Sequence, residues 1–157
     1  MSEAMREAVA RVESLAVGSS PVLVAGESGT EKELFASALH VGSAREQGPF
    51  IVVSCPPLAG DALERELFGW EAGAFDGAVA ARPGRLELAQ GGTLLLAEFR
   101  EASPGLEARL MRFFAEGIAQ RNGAITSTQL DVRVVTTTGD DPAAFIAGSA
   151  LKAKLGR

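Results

Sequence analysis

The sequence has little positive charge and no long apolar run, and both absences narrow what the protein can do. Fifteen lysine and arginine residues against twenty aspartate and glutamate residues give a formal net charge of -5 and a pI near 5.0. Because nucleic-acid backbones are bound mainly through clustered cations, we expect no direct contact with nucleic acid. No apolar run approaches the ~18 residues of a membrane span, and the N-terminus lacks the pattern of a leader peptide. We therefore expect a cytoplasmic protein with no membrane contact.

Cysteine is almost absent: Cys55 is the single one, at the end of the apolar segment PFIVVSC at 49–55. One cysteine excludes a disulfide framework. A nucleophilic cysteine needs a neighbour that lowers its pKa, and the single histidine, His40, is distant in sequence. We predict that Cys55 is a buried thiol at a strand end.

Short apolar runs alternate with helix-forming segments along the 157 residues. Runs of this kind with β-branched residues are typical of parallel strands buried on both faces. They predict four strands, at 21–26, 49–55, 92–99 and 130–138. The alternation predicts an α/β protein with a mainly parallel sheet covered by helices on both faces.

Helices are predicted from apolar periodicity and capping residues. An amphipathic helix is expected over 2–16, with Met5, Val9, Val12 and Ala16 on one face. A second helix is expected at about 32–44, with four apolar residues facing inward: Leu34, Phe35, Ala38 and Leu39. A third spans 61–69, and a fourth starts after Ser103 with Pro104 in its first turn. The fourth carries an apolar stripe of Leu106, Leu110, Phe113 and Phe114.

The segment GESGTEK at 26–32 follows the first predicted strand and precedes a helix. A phosphate-binding loop has this context, because its backbone N–H groups and a lysine at the helix start point at the phosphates. Gly26, Gly29 and Lys32 meet three of its requirements, but Glu31 stands where the pattern requires glycine. The pattern alone leaves open a glycine-rich turn without a ligand.

Five blocks occur in the order and spacing of a known family, namely GESGTEKELFASALH, PFIVVSC, LERELFGWEAGAFDGA, PGRLELAQGGTLLLAE and DVRVVTTT. On these motifs the chain resembles the AAA+ ATPase domain of the sigma-54-dependent enhancer-binding transcription activators, as far as about residue 140. The resemblance implies a P-loop NTPase-like three-layer α/β sandwich, with residues 1–157 as one domain. Such activators assemble as rings, hydrolyse ATP between subunits and use a surface loop to engage the sigma factor.

The resemblance also implies a site that has kept its scaffold and changed its chemistry. Glu98 stands at the position of the water-activating glutamate, and Ala97 replaces an aspartate that positions Mg²⁺, so no metal site is expected. We interpret Glu98 as a vestigial catalytic residue. The vestigial phosphate loop comprises Gly26, Glu27, Ser28, Gly29, Thr30, Lys32 and Glu33.

Glu31 and Ala97 alter the same chemical step. A carboxylate ~4 Å from a phosphate charge at an effective dielectric of ~20 is repelled by about 4 kcal/mol, which lowers affinity about a thousandfold. The alternative is that both changes are tolerated in a working enzyme.

Further departures favour a loss of activity: Gly139 replaces an asparagine near the γ-phosphate, and Ala150 and Leu151 stand near the expected phenylalanine and intersubunit arginine. Arg157 can be matched to a second family arginine.

The loop that contacts the sigma factor in the family corresponds to GAFDGA here. Its residues form the predicted partner-binding site: Gly73, Ala74, Phe75, Asp76, Gly77 and Ala78. Asp76 replaces a threonine, so a hydroxyl donor becomes a charged acceptor. Phe75 between small residues predicts an exposed turn that presents one aromatic, although an inherited loop without a partner is the alternative. Trp70 is expected in the core or at the base of the loop.

Three functions follow in order of preference. The first is a degenerate, hydrolysis-deficient regulatory or protein-interaction module in transcription or signalling, with no cofactor. The second is an ATP-binding domain of a sigma-54-dependent transcription regulator, non-hydrolysing or weakly active, that binds ATP or ADP weakly with Mg²⁺. The third is an active ATPase. The expected partner is a protein: a sigma-54 activator-type ATPase, a sigma factor or a signalling protein. We expect a monomer or small oligomer, because altered nucleotide contacts weaken ring assembly, and we expect the helical lid and DNA-binding segment to be absent.

Overall fold

A computed structural model describes residues 20–26, 29–58 and 60–156. The amphipathic helix predicted over 2–16 lies outside the described residues, as do Glu27 and Ser28 of the predicted phosphate loop and Arg157. None of the helices in the described part of the chain is long and apolar enough to cross a membrane.

Four parallel strands form the central sheet, and all four predicted strands are confirmed. In spatial order they are β1 (Val22–Ala25), β8 (Arg133–Thr138), β5 (Thr93–Ala97) and β2 (Phe50–Ser54). The two central strands, β5 and β8, are buried along their whole length. Two short antiparallel pairs complete the strands: β3 (Gly69–Trp70) with β4 (Arg82–Pro83), and β6 (Ile118–Ala119) with β7 (Thr128–Gln129).

Six helices lie in the described residues, four before the last strand and two after it. They are α1 (Gly29–Val41), α2 (Asp61–Phe68), α3 (Arg85–Leu88), α4 (Pro104–Glu116), α5 (Pro142–Ala147) and α6 (Ala150–Leu155). The cap predicted for α4 is confirmed, because the hydroxyl of Ser103 accepts a bond of 3.2 Å from the N–H of Leu106 with Pro104 in the first turn. Leu106, Leu110 and Phe113 of the predicted stripe are buried.

Side chains alternate across the sheet and divide the core into two layers. Leu95 and Val135 point to one face, where they pack against Ala36 and Leu39 of α1. Leu94, Leu96 and Val134 belong to the other cluster, which includes residues of α2, α3, α4 and α6. The result is the predicted three-layer α/β sandwich.

Two details of α1 differ from the prediction. The helix begins at Gly29, three residues before the predicted start, and ends at Val41. Leu34 was expected to face inward, but 69% of it is exposed, and Ala38 is exposed as well. The buried face instead includes Lys32, Ala36 and Leu39. The prediction from apolar periodicity placed the wrong face of α1 inward, because the face that is buried includes a charged residue, Lys32.

The start of the central sheet is held by a buried histidine. His40 at the end of α1 forms hydrogen bonds of 2.9 Å with Thr93 Oγ1 through Nδ1 and 3.0 Å with the carbonyl of Gly48 through Nε2. The backbones are close here, since a Cβ on Gly92 would lie 2.0 Å from the carbonyl oxygen of Pro49. These contacts fix α1 against β2 and β5 at the end of the sheet opposite the predicted site.

Candidate functional site

The predicted phosphate loop and the predicted catalytic glutamate meet at the carboxyl ends of three neighbouring strands. Gly26 follows β1, and its N–H donates to the carbonyl of Thr138 at the end of β8 with a distance of 3.1 Å. Glu98 follows β5, and Lys32 lies in the first turn of α1. In open parallel sheets this edge is where ligands bind. The fold therefore brings Lys32 of the predicted phosphate loop and the predicted catalytic Glu98 to the same edge of the sheet.

Lys32 and Glu98 form an ion pair at the centre of this edge. The Nζ of Lys32 lies 2.6 Å from Oε1 of Glu98. Only 4% of the Lys32 side chain is exposed, whereas 35% of the Glu98 side chain is. The aliphatic part of Lys32 runs beside Gly26, since a Cβ on that glycine would lie 3.7 Å from Lys32 Cδ. Glu98 thus supplies the counter-charge for a buried ammonium group.

The backbone at Glu98 is held in an uncommon conformation. Its φ angle is 56°, in the left-handed region that non-glycine residues adopt rarely. Thr137 fixes this turn on both sides: its hydroxyl accepts 2.8 Å from the N–H of Glu98, and its carbonyl accepts 3.1 Å from the N–H of Phe99. Conformations of this kind persist where surrounding contacts enforce them, often at functional sites. The turn carries the Glu98 carboxylate that meets Lys32.

The two substitutions predicted to alter nucleotide chemistry occupy distinct places. Glu31 is exposed in the first turn of α1, so its carboxylate faces solvent. Ala97 is buried at the end of β5 and provides no oxygen atom. In the described residues no group of three or more histidine, cysteine, aspartate or glutamate side chains could hold a metal ion. With Glu98 paired to Lys32, these residues fit Mg²⁺ poorly, because Mg²⁺ is bound through carboxylate and other oxygen ligands.

A cavity of about 510 Å³ opens beside this ion pair. Gly139 stands at its wall, and a Cβ there would lie 3.8 Å from Oε2 of Glu98. Lys152 of α6 also lines the cavity, and its Nζ lies 3.1 Å from a carboxylate oxygen of the exposed Glu101. Lys152 is buried. Leu151, which was matched to an intersubunit arginine, is buried in the core and provides no charge.

Cys55 is a buried thiol, as predicted. It follows β2, and its side chain is 4% exposed. Burial, with a smaller contribution from the negative charge of Glu98, raises the pKa of the thiol from 9.0 to about 12. A thiol with this pKa is not a nucleophile near neutral pH.

The predicted partner-binding loop forms a compact turn between β3 and β4. The N–H of Gly73 donates 2.8 Å to the carbonyl of Ala78, and Gly73 and Gly77 both have positive φ angles, 82° and 94°. Asp76 is exposed, as predicted, whereas Ala78 is buried. Phe75 was expected to project from the turn, but it is half-buried because it packs on the domain.

Neighbouring residues pack against both sides of this turn. The ring of Phe75 lies against Trp70, with centroids 5.3 Å apart, and the guanidinium of Arg65 covers it at 3.9 Å. Trp70 therefore packs at the base of the loop, one of its two expected positions. On the other side a turn at 121–124 approaches Ala74, since a Cβ on Gly123 would lie 2.9 Å from the Cβ of Ala74.

Three residues of these sites were missed in the sequence. Thr137 lies in a run of three threonines at a strand end, and a run of hydroxyls at the carboxyl end of a parallel strand is a usable signal. Lys152 lies in ALKAKL, where nothing in the sequence distinguishes it from a solvent-exposed lysine. Arg65 lies on a short charged helix, and its contact with Phe75 depends on how the turn folds back.

Comparison with known proteins identifies the family. The chain matches the family model described as the sigma-54 interaction domain over residues 1–156. It is 46% identical over 154 residues to the Nif-specific regulatory protein of Rhodobacter capsulatus, covering 98% of this chain and 27% of that protein. It is 44% identical over 154 residues to the response regulator protein FleR of Pseudomonas aeruginosa, covering 98% and 32%. The chain thus spans about a quarter to a third of the length of these curated relatives.

Solved structures agree in fold. The crystal structure of NtrX from Brucella abortus matches with a TM-score of 0.87 at 31% identity, covering 99% of this chain and 36% of that one. The P-loop NTPase domain of a sigma-54 activator from E. coli matches with a TM-score of 0.63 at 19% identity, covering 99% and 88%. These matches confirm the predicted P-loop NTPase-like fold.

Residues of the motifs that suggested the family lie together in the fold, with Lys32 and Glu98 side by side at the carboxyl edge of the sheet. The family model covers nearly the whole sequence. This chain belongs to the family of sigma-54 interaction domains.

Proposed function

We propose that this domain is a regulatory module of the sigma-54-dependent activator type that acts through protein contacts and does not hydrolyse ATP. The observation that carries the proposal is the ion pair of 2.6 Å between Lys32 and Glu98, beside a buried alanine at position 97. The lysine that would bind phosphate is paired with the carboxylate that would activate water, so neither group is available for its catalytic role. Residues 1–157 are proposed to act as one domain.

Hydrolysis needs Glu98 to accept a proton from water and Lys32 to face a phosphate group. A phosphate that reached Lys32 would have to displace Glu98, and the carboxylate and the phosphate are both negative. Ala97 replaces the second acid of the strand, so the strand end provides no carboxylate beside Glu98 that would hold Mg²⁺ against the phosphate. The vestigial phosphate loop is therefore proposed to keep a structural role without supporting hydrolysis; its residues are Gly26, Glu27, Ser28, Gly29, Thr30, Lys32 and Glu33.

The proposed partner-binding site is the turn from Gly73 to Ala78, and the proposed partner is a protein. Within this family the first candidates are the sigma-54 factor and an activator-type ATPase, and a signalling protein is the third. With a net charge of -5, the domain is not proposed to bind nucleic acid directly. We propose a monomer or small oligomer in the cytoplasm, because a nucleotide that does not bind cannot link neighbouring subunits.

A second function, nucleotide binding without hydrolysis, is supported by the retained Lys32 and by two relatives. Structures of NtrX from Brucella abortus were determined with ADP, at 30% identity to this chain, and with ATP, at 29% identity. In this case Lys32 would leave Glu98 and bind a phosphate, and the domain would sense ADP or ATP weakly with Mg²⁺.

Calorimetric titration of the purified chain with ATP and ADP, with and without Mg²⁺, separates the two functions. The first predicts no heat of binding at micromolar nucleotide and no phosphate release above background. The second predicts binding that is lost in Lys32→Met. Micromolar binding with no turnover would replace the first proposal by the second. Turnover above background that disappears in Glu98→Gln would refute both.

A further inference from the structure

Phe75 of the partner-binding turn belongs to a stack of four side chains, in which two neighbouring aromatic rings lie between two arginines. The guanidinium carbon of Arg65 lies 3.9 Å from the Phe75 ring centroid, and the Phe75 and Trp70 rings meet edge to face at 72° with centroids 5.3 Å apart. Arg82 covers the other aromatic, 5.6 Å from the Trp70 centroid. We call these four residues the aromatic–cation stack. Both contact types have the geometry of favourable interactions.

Arg65 differs from the other arginines around it. Arg82 and Arg85 both contact Glu66, at 3.9 Å and 2.6 Å, and Arg109 contacts Glu64 at 2.8 Å. Within the described part of the chain Arg65 is in no ion pair. Its specific contact is therefore the face of Phe75, and a guanidinium suits this contact because it is planar and weakly hydrated.

Trp70 and Arg65 of the stack are held by backbone contacts, whereas the solvent-facing side of the turn makes few contacts. Trp70 is tied to the backbone, because its indole N–H donates 2.9 Å to the carbonyl of Ala80. Arg65 is fixed on α2, where its carbonyl accepts from the N–H of Gly69. By contrast, the outer side of the turn is open: Asp76 is exposed, and 91% of Val79 is exposed. Phe75 is thus the point at which the turn attaches to the rigid part of the domain.

We propose that Arg65 is a positioning residue for the partner-binding turn: its guanidinium clamps Phe75 against Trp70 and thereby sets which side of the turn a protein partner meets. In the clamped position the partner meets Asp76 and Val79, and the aromatic is withheld. A partner that fits this face presents a positive charge next to a small apolar surface. The inference deepens the proposed function, because it rests on the turn being the partner-binding site.

Tryptophan fluorescence tests the clamp directly, since the chain has one tryptophan and no tyrosine. Acrylamide quenching of Trp70 is measured in the full chain for wild type, Arg65→Met, Arg65→Lys and Phe75→Leu. Methionine and lysine have similar unbranched stems, so this pair separates charge from packing. Lys154→Met, on α6 outside the stack, is the control for loss of one positive charge. Thermal unfolding confirms that each variant is folded.

The clamp predicts that Arg65→Met shifts the ratio of clamped to free turn about two- to fivefold, as expected for a part-exposed cation–π contact. Its quenching constant should move toward that of Phe75→Leu, which defines the free turn. Arg65→Lys should lie between wild type and Arg65→Met, because it keeps the charge and loses the planar contact. Lys154→Met should match wild type, and in the Phe75→Leu background Arg65→Met should have no further effect.

Wild-type quenching in Arg65→Met would overturn the proposal, and so would equal quenching in the lysine and methionine variants. Neither measurement uses nucleotide or a partner protein. Failure of the clamp is therefore distinguishable from failure of the proposed loss of nucleotide binding and hydrolysis, which nucleotide titration decides independently.

Discussion

The ammonium group of Lys32, in the first turn of α1, lies 2.6 Å from the carboxylate of Glu98, at the end of β5. This contact joins the residues that stand at the positions of the family's phosphate lysine and water-activating glutamate. The lysine is almost fully buried, so removing its counter-charge has an energetic consequence that does not depend on any ligand. Stability measurements can therefore test the site in the absence of nucleotide.

Glu98→Gln should destabilise the domain more than Lys32→Met does. Losing the partner of a buried charge costs about 3–5 kcal/mol when both groups are buried. Because Glu98 is one-third exposed and water can replace part of the lost contact, we expect about 1–2 kcal/mol. Lys32→Met removes the buried charge itself and should cost less. Urea unfolding gives both free energies, and an equal or larger loss in Lys32→Met would contradict the assignment of Glu98 as its counter-charge.

The double variant Lys32→Met with Glu98→Gln provides the coupling between the two side chains. Its free energy of unfolding should be higher than the sum of the two single losses predicts, because the double variant contains no unpaired charge at this position. Additive losses would mean that the pair observed in the structure does not contribute to stability.

Glu31→Gly combined with Ala97→Asp should increase the affinity for ATP with Mg²⁺ about tenfold. Glu31 is exposed, so screening reduces its repulsion well below the roughly thousandfold effect of an unscreened contact. The aspartate introduced by the second change would add an oxygen ligand beside Glu98. Calorimetry at fixed ionic strength measures the change, with the exposed Glu46→Ala as a control for loss of one negative charge. No gain in the double variant would place the defect elsewhere, for which Gly139 is the first candidate.

The stability of the domain should fall at alkaline pH through Cys55. The thiol has a pKa of about 12 in the folded chain, against the ordinary value of 9.0 in an unfolded one. Unfolded chains therefore release this proton first, and the contribution of Cys55 to stability is complete below pH 9 and lost as the pH rises toward 12. The slope should approach ~1.4 kcal/mol per pH unit.

Cys55→Ala isolates this effect from the lysines that titrate in the same range. Urea midpoints of wild type and variant should differ by an amount that shrinks steadily as the pH rises from 9. A constant difference would mean that the thiol is not kept neutral by burial.

Much of the architecture could be predicted because the relevant signals are local. Apolar runs with β-branched residues placed all four strands, and Ser103 with Pro104 placed the start of α4. The family motifs singled out Lys32 and Glu98, which the structure brings together at one edge of the sheet. Their pairing did not follow, because the loop motif and the strand motif each assign a residue to a position and do not state which side chains contact one another.

The conformation of the GAFDGA turn could not be predicted from its own residues. Small residues around Phe75 favour an exposed aromatic, and the opposite outcome depends on Arg65, ten residues earlier, and on Trp70. Contacts of this kind are decided by tertiary packing, which residue type alone does not encode. The same holds for Lys152, whose burial depends on the position of α6.

The two leucines of α1 offer a matched test of how this helix is oriented. Leu39 is 2% exposed and packs in the layer between α1 and the sheet, whereas Leu34 is 69% exposed. Leu39→Ala should therefore cost about 2–5 kcal/mol, because it leaves a cavity in the core. Leu34→Ala should change the free energy of unfolding by less than ~0.5 kcal/mol, the usual range for surface substitutions. Urea unfolding of the two variants measures this contrast, and similar losses at both positions would mean that α1 is rotated about its axis relative to the structure.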